Sequence, residues 1–334
     1  MHLISFIIPC YRSADTISAV VEEIRAQFLT RDEYDYQIIL VSDASPDDTF
    51  KVIRSLCAAD QRIVGLELAR NFGQQAARMA ALEHIRGEYV VFMDDDGQHP
   101  AEGIFKLIAK LQDGCDLVYA RFIRKQHSRF KRLGSQVNRV MTELLIGKPR
   151  QVLASSFFAA KRFVIEELGH YRSPSPYIFG YLMQITRKIG NVDLEHRARF
   201  SGESGYTLAK LLHLWLNGVT GFSVVPLRAS SLLGFFCALS GFILGLVMII
   251  RKLLNPDIAA GYSSLMAAIF FVGGMIMIML GMLGEYVGRI YLAQNALPQY
   301  VVREVVNDTA DLNQAGASTA PVTVNDHDQK QAAL

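Results

Sequence analysis

The sequence predicts an α/β domain with a Rossmann-like, mainly parallel sheet, followed by a hairpin of two transmembrane helices. Three observations carry that expectation. Apolar strand-like runs alternate with amphipathic stretches over the first third of the chain; polar or acidic clusters directly follow those runs; and two long segments near the C-terminus carry no charge. Alternation of this kind builds a parallel sheet covered on both faces, with strands buried enough to read as continuous apolar runs.

Taken in order, residues 3–9 form the first strand. The N-terminal MHLISFIIPCY is too short in its apolar part for a signal-peptide core and leads into polar sequence. Helical periodicity follows over 15–29, with Asp15 as the cap. Strands at 36–41, 63–68, 89–93 and 116–119 then alternate with helices at 46–59 (opened by Ser45-Pro46), 73–85 and 100–111. Residues 174–188 read either as an interfacial helix or as a packing helix. Residues 208–222, with the lone Trp215, either lie in a membrane interface or pack on the soluble domain.

Segments 229–250 and 258–284 are uncharged, and each exceeds the ~20 apolar residues that cross a bilayer. The helix of the second is placed at 262–284. Gly241, Gly245, Gly273, Gly274, Gly281 and Gly284 offer close helix approach in lipid. The link between them, with Asn255-Pro256, is short, so both chain ends share one side. Basic residues outside the hairpin (Lys210, Arg228, Arg289, Arg303) against Arg251 and Lys252 within it mildly favour cytoplasmic termini. The expected organisation is a soluble domain at 1–207, a juxtamembrane segment at 208–228, the hairpin at 229–284, a cytoplasmic segment at 285–306 anchored by Glu285-Tyr286, and a polar, disordered tail at 307–334.

Composition excludes some functions. With 34 Lys and Arg against 32 Asp and Glu the net charge is +2, which argues against a polybasic nucleic-acid binder. A mean hydropathy of +0.20 is high for a wholly soluble chain. Four cysteines, at 10, 57, 115 and 237, have spacings that suit neither a zinc site nor a disulfide framework, so the soluble part belongs in a reducing compartment.

Ligands of such sheets bind at the carboxyl ends of the strands. There stand Pro9, Tyr11 and Arg12; Ser42, Asp43, Ala44 and Ser45; Arg70, Asn71, Phe72 and Gly73; and Asp94, Asp95, Asp96, Gly97 and Gln98. No G-x-G-x-x-G follows the first strand and no G-x-x-x-x-G-K-[ST] occurs, which disfavours a dinucleotide site and a P-loop. Three adjacent carboxylates repel one another unless a cation is bound. Mg²⁺ takes one or two protein carboxylates and completes its shell with phosphate and water, so the triplet suits a nucleotide-diphosphate–metal site. A solvated Asp-Asp-Gly turn is the other reading. His99 and His196 read as structural.

The succession P-x-Y, V-S-D-A-S, R-N-F-G-Q, D-D-D-G-Q-H-P, R-F-S-G-E-S-G-Y and a hairpin ending in L-G-E-Y-V-G-R-I-Y resembles the membrane-anchored polyprenyl-phosphate glycosyltransferases of glycosyltransferase family 2. The resemblance runs from Ile4 to about Val305. It implies a GT-A fold and inverting transfer of a sugar from a nucleotide-diphospho-sugar to a polyprenyl phosphate, for cell-surface glycan or lipopolysaccharide synthesis. It implies a bacterial inner membrane with both termini cytoplasmic, and a homo-oligomer through the membrane region. Donor binding then falls to Pro9, Tyr11, Asp43, Asp94, Asp95, Arg199, Gly202 and Ser204. Mg²⁺ or Mn²⁺ falls to Asp94, Asp96 and Gln98. Catalysis falls to Asp96 and Arg199, and the lipid phosphate to Arg121, Arg124, Lys131 and Ser135.

The chain also departs from that pattern. Ser42 stands where the family's second motif begins with Asp, and Arg12-Ser13 where Asn-Glu often follows P-x-Y. Residues 152–158 (VLASSFF) lack the Asp and Arg of the family's D-x-G-x-F-R, while Gly205 and Lys131 replace a Lys and an Arg. Two rivals remain: a transferase acting directly on a glycan or glycolipid, and a non-catalytic scaffold that binds a nucleotide sugar. The Q-x-x-R-W signature of processive synthases is absent, since Leu214 precedes Trp215.

Overall fold

A computed structural model describes residues 1–122, 152–173, 176–195, 225–254, 261–294 and 298–308. In chain order the elements are β1 (His2–Cys10), α1 (Ile17–Phe28), β2 (Tyr34–Ser42), α2 (Thr49–Ala59), β3 (Ile63–Leu68), α3 (Gln74–Ala80), a 3₁₀ turn (Ala81–His84) and β4 (Tyr89–Phe92). There follow α4 (Ile104–Gln112), β5 (Leu117–Phe122), β6 (Phe158–Lys161), α5 (Arg162–Gly169), α6 (Ile178–Ile185) and β7 (Ile189–Leu194). The long helices α7 (Val225–Leu254) and α8 (Tyr262–Gln294) and a last strand, β8 (Val302–Val306), complete the order. Two compact units emerge, one from Met1–Gly97 with the chain from Tyr300 onward, the other from Gln98–Gln299.

In the first unit the strands run β4-β1-β2-β3-β8. β1 pairs parallel with both β2 and β4, and β2 parallel with β3. Ile4, Phe6, Ile7 and Ile8 of β1 are fully buried, as are Ile38, Ile39, Leu40 and Val41 of β2. Burying each such side chain contributes about 1.5–3 kcal/mol. Helix α2 seats on β3 because Gly65 has no side chain: a Cβ there would lie 2.7 Å from Ile53 Cγ2.

Beneath the sheet sits a small buried polar knot. Ser5 Oγ donates to Gln37 Oε1, Gln37 Nε2 donates to the His84 carbonyl, and the Gly87 N–H donates back to Ser5 Oγ. A Cβ on Gly87 would lie 2.6 Å from the Ser5 backbone nitrogen, so the entry to β4 admits only glycine.

β8 supplies an antiparallel strand to the mainly parallel sheet. It adds antiparallel to the β3 edge, where Arg54 pairs with Glu304. Asn307, at φ +64°, donates to the Cys57 and Ile63 carbonyls, while Asp308 pairs with His84 and Arg86. The start of the segment read as a tail is thus tied to the domain; 309–334 lies outside the described residues.

In the second unit the strands run β7-β5-β6, with β6 antiparallel and β7 parallel to β5. The sheet is therefore mixed. β6 escapes a sequence reading because FAAK is short and has no β-branched residue. Helix α6 buries Ile178, Leu182 and Met183, which favours packing over an interfacial role.

The hairpin helices present their apolar side chains outward, with Phe242 71% and Met277 70% exposed. A core helix of a soluble protein would bury them. Each contains a segment long and apolar enough to cross a bilayer, Ser230–Val247 and Phe271–Gly288. The two helices meet at Gly234, where a Cβ would stand 2.6 Å from Met279 Cε. Glu285 and Tyr286 lie inside α8, which continues to Gln294, rather than at its end.

Several boundaries moved for local reasons. Helix α1 begins at Ile17 with Thr16 at its N-cap, without a side-chain cap from Asp15. Helix α2 begins at Thr49 because Asp47 first accepts from Ser45 Oγ, Thr49 Oγ1 and Thr49 N, an Asx-type turn in place of a helical one. The link at 255–257 and the segment at 208–224, with Trp215, lie outside the described residues.

Candidate active site

The loops after β1 and β2 are built as one hydrogen-bonded platform. Arg12 and Ala44 adopt φ of +58° and +46°, a conformation that side chains rarely take and that the surrounding bonds enforce. The Arg12 N–H donates to Ser45 Oγ at 2.7 Å and the Ser13 N–H to Thr49 Oγ1 at 2.9 Å. Pro9 is buried within β1, and Tyr11 beside it is 45% exposed.

Asp43 is 3% exposed. Its Oδ1 accepts from the Phe72 N–H at 2.7 Å and its Oδ2 from the Gly73 N–H at 2.8 Å. Burial pushes its pKa up, and those two bonds pull it back. Both oxygens therefore anchor the loop after β3, where Gly73 takes φ +92°. Sequence reasoning placed Asp43 at the nucleotide; the structure gives its carboxylate a backbone partner on each oxygen.

The acidic triplet splits three ways. Asp95 turns inward and accepts from Ser13 Oγ and, at 3.1 Å, from the Tyr11 N–H. Burial raises its pKa, with the bond from Ser13 opposing. Asp94 Oδ1 accepts from Arg78 at 2.7 Å and from Gln74 Nε2 at 2.7 Å. Asp96 is half-buried and opens the turn in which Gly97 takes φ +73°. Gln98 is half-buried.

Arg78 and Gln74 were missed from the sequence. They lie four apart on α3, one face of a helix aimed at an acidic strand end, and that spacing was the available signal. Arg78 is only 3% exposed, and among the described residues its Nε has no hydrogen-bond partner.

Arg121, expected at a lipid phosphate, forms a two-pronged ion pair with Asp193 of β7. Hydrogen bonding to Asp193 raises the Arg121 pKa, and the same contact lowers that of Asp193. Val152 is buried. Asn191 holds the segment behind it, accepting from the Leu153 N–H at 3.0 Å and donating to the Leu153 carbonyl at 2.7 Å. His99 stacks on Phe157 at 5.0 Å and contacts Ser156 Oγ at 3.2 Å, a structural setting. Arg124, Lys131, Ser135, His196, Arg199, Gly202, Ser204 and Gly205 lie outside the described residues.

The profile of "Glycosyl transferase family 2" matches residues 5–169, and that of the "GtrB C-terminal hairpin" matches residues 225–290. A prophage bactoprenol glucosyl transferase homolog of Escherichia coli K12 is 31% identical over 311 residues, 90% of this chain and 99% of its own. The chain belongs to glycosyltransferase family 2. An undecaprenyl-phosphate 4-deoxy-4-formamido-L-arabinose transferase of Yersinia enterocolitica is 30% identical, over 91% of this chain and 93% of that one. A bactoprenol glucosyl transferase of Shigella phage SfV is 32% identical, over 90% and 98%. Among solved structures, glucosyl-3-phosphoglycerate synthase of Mycobacterium tuberculosis aligns over 66% of this chain and 78% of that chain, at 21% identity and TM-score 0.49. The glycosyltransferase domain is of the GT-A type, a mixed Rossmann-like sheet, and the hairpin family accounts for α7 and α8.

Among the described residues no group of three His, Cys, Asp or Glu side chains forms a self-contained metal cage. Hard oxygen donors nonetheless stand at the end of β4. A carboxylate such as Asp96, with phosphate and water oxygens completing the shell, matches what Mg²⁺ or Mn²⁺ takes.

Proposed function

We propose that this glycosyltransferase moves one sugar from a nucleotide-diphospho-sugar to a polyprenyl phosphate, with inversion, at the cytoplasmic face of a bacterial inner membrane. The observation that carries the reading is the union, in one chain, of an acidic strand end and a hairpin whose apolar faces are exposed. The relatives named for bactoprenol and undecaprenyl phosphate, matched along nearly their whole length, support it. Both termini are cytoplasmic in this reading, the membrane region forms a homo-oligomer, and the product serves cell-surface glycan or lipopolysaccharide modification.

The roles follow from charge. A lipid monophosphate has a second pKa near ~6, so it is already an anionic nucleophile at neutral pH. It attacks the anomeric carbon, and the nucleoside diphosphate leaves from the opposite side. Proton removal is therefore a minor need, which makes the buried Val152 tolerable where relatives carry an acid. A divalent cation, when bound, offsets the charge that grows on the departing diphosphate. Asp94, Asp96 and Gln98 are its protein ligands in this reading. Pro9, Tyr11, Asp43 and Asp95 shape the nucleotide platform, and Arg199, Gly202 and Ser204 close on the diphosphate. Arg121, Arg124, Lys131 and Ser135 hold the lipid phosphate in line.

The test is incubation of the purified, detergent-solubilised protein with undecaprenyl phosphate and a panel of nucleotide sugars, followed by mass spectrometry of the lipid. One donor should add a single sugar to the lipid phosphate. A sugar found only on a glycan, or no sugar transferred from any donor, would overturn the reading.

A further inference from the structure

Just past the acidic triplet the chain buries a histidine that the proposed reaction does not use. His99 is 5% exposed and follows Gln98 directly. Its ring lies 11° from parallel to both Phe122, at 5.9 Å, and Phe157, at 5.0 Å, and its Nε2 stands 3.2 Å from Ser156 Oγ. These partners sit where a strand pairing runs out. The β5–β6 ladder covers Leu117 to Tyr119, and the Ala120 N–H still reaches the Phe157 carbonyl at 3.0 Å. For Phe122, the last residue of β5, the imidazole continues the link back to Phe157. On its other side Phe122 pairs with Leu194 of β7, and the loop after His99 reaches that residue too: a Cβ on Gly103 would lie 2.5 Å from Leu194 Cδ1. Residues 99–103 thus brace the carboxyl ends of β5 and β7, next to the Arg121–Asp193 pair. An apolar ring would fill the space at a lower desolvation cost. What the imidazole adds is a polar contact at its edge, which fixes the rotation of the ring while the stacks fix its plane.

We propose that His99 is a positioning residue for the acceptor: by bracing Phe122 it sets the direction in which the neighbouring Arg121 presents its guanidinium to the lipid phosphate. The proposal rests on the reading of Arg121 as a lipid-phosphate contact and deepens it. A two-pronged guanidinium contact is planar and directional, so its strength depends on how the strand end is held. Successive residues of a strand point to opposite faces, and a twist at Phe122 turns Arg121 with it. Ser156 and Phe157, in the stretch that lacks the family's acid, serve here as the seat of that ring.

The test is steady-state transfer by the full-length protein in detergent, with undecaprenyl phosphate and the nucleotide sugar it uses varied separately. His99→Leu should raise the KM for the lipid about fivefold and leave the donor KM within about twofold of the wild type. Loss of folded protein alone lowers the rate without moving either KM, so a merely structural role for His99 leaves the lipid KM still. Phe122→Leu should give the same rise, and the double variant no more than either single one, because both remove one stack. Ser156→Ala removes only the contact at the ring edge and should raise the lipid KM about threefold, which decides the matter even if His99→Leu does not fold. An unchanged lipid KM in folded His99→Leu or in Ser156→Ala overturns the proposal. So does a rise shared equally by donor and lipid, or a double variant whose effect is the product of the two singles. Failure of the wild type to glycosylate the lipid from any donor is a separate outcome, which removes the glycosyl-transfer reading and this proposal with it.

Discussion

The strand-end loops of the first unit and the β5–β7 edge of the second hold their charges in opposite ways. Around β1–β4, three carboxylates, Asp43 buried and the others half-buried, are bonded by the fold: Asp43 by two backbone N–H groups, Asp95 by Ser13 and Tyr11, Asp94 by Arg78 and Gln74. At the β5–β7 edge, Arg121 and Asp193 pair in the open, with side chains 45% and 44% exposed. The first arrangement is rigid and costly to disturb. The second is a surface pair that solvent can replace, and a phosphate can compete for it. The difference suits the proposed reaction: a nucleotide platform is preformed, while a charge that must meet a lipid headgroup stays exchangeable.

The comparison breaks most visibly at Asp43. Asparagine keeps the shape but offers one acceptor where two N–H groups need one each, and its amide N–H₂ opposes the other donor. We expect Asp43→Asn to destabilise the protein by about 2 kcal/mol. Thermal unfolding of the solubilised protein would read it as a fall of several degrees. A change of under one degree would mean that the loop after β3 does not depend on this clamp.

Much of this contrast was legible in the sequence, and the reasons for the rest are physical. The strand runs and the four polar clusters that follow them are local signals, and they placed β1 to β5 within a few residues. The membrane hairpin is equally local. What pairs with what is not. Asp94, Asp95 and Asp96 are adjacent in sequence, but Asp95 meets Ser13 and Tyr11, and only the position of α3 reveals that Arg78 meets Asp94. Arg78 itself reads as an ordinary basic residue in a helix. β8 has a visible alternation in VREVV, but nothing local says that it pairs with the edge of β3, more than 200 residues earlier.

A second prediction concerns another bonded carboxylate of the first unit, Asp60, paired with Arg62. Asp60 is 8% exposed and takes hydrogen bonds from Arg62 and from Tyr36 at 2.7 Å. Burial alone would raise its pKa, but the bonds from Arg62 and Tyr36 outweigh it and bring the carboxyl to about 2. The folded value lies below the ~3.9 of an unfolded chain, so the pair stabilises above that pH and loses its contribution as pH falls through about 2. The contribution at neutral pH is on the order of 1–2 kcal/mol, reduced by solvent around Arg62. Denaturant unfolding at pH 7 and pH 2.5 should show Asp60→Asn destabilising at the first and only about a third as destabilising at the second, where the carboxyl approaches its folded pKa. An equal penalty at both would assign the effect to packing.

The smallest expected effect sharpens the comparison from the other side. Since the Arg121–Asp193 pair is exposed, Arg121→Ala should shift the unfolding temperature by no more than about 1 °C. Its consequence belongs to lipid use. To meet a phosphate, Arg121 must exchange the Asp193 carboxylate for another anion of similar geometry, so the net gain is the small difference between two like contacts. Arg121→Ala should therefore raise the KM for polyprenyl phosphate only about threefold and leave donor KM unchanged. Removing the competitor should work the other way: Asp193→Asn frees the guanidinium and should lower the lipid KM by a similar factor. Steady-state assays with lipid and donor varied separately would read both. A tenfold or larger rise for Arg121→Ala would show that the acceptor side is as tightly built as the donor side. No change in either variant would remove Arg121 from the acceptor site and leave lipid-phosphate binding to the rest of the basic stretch.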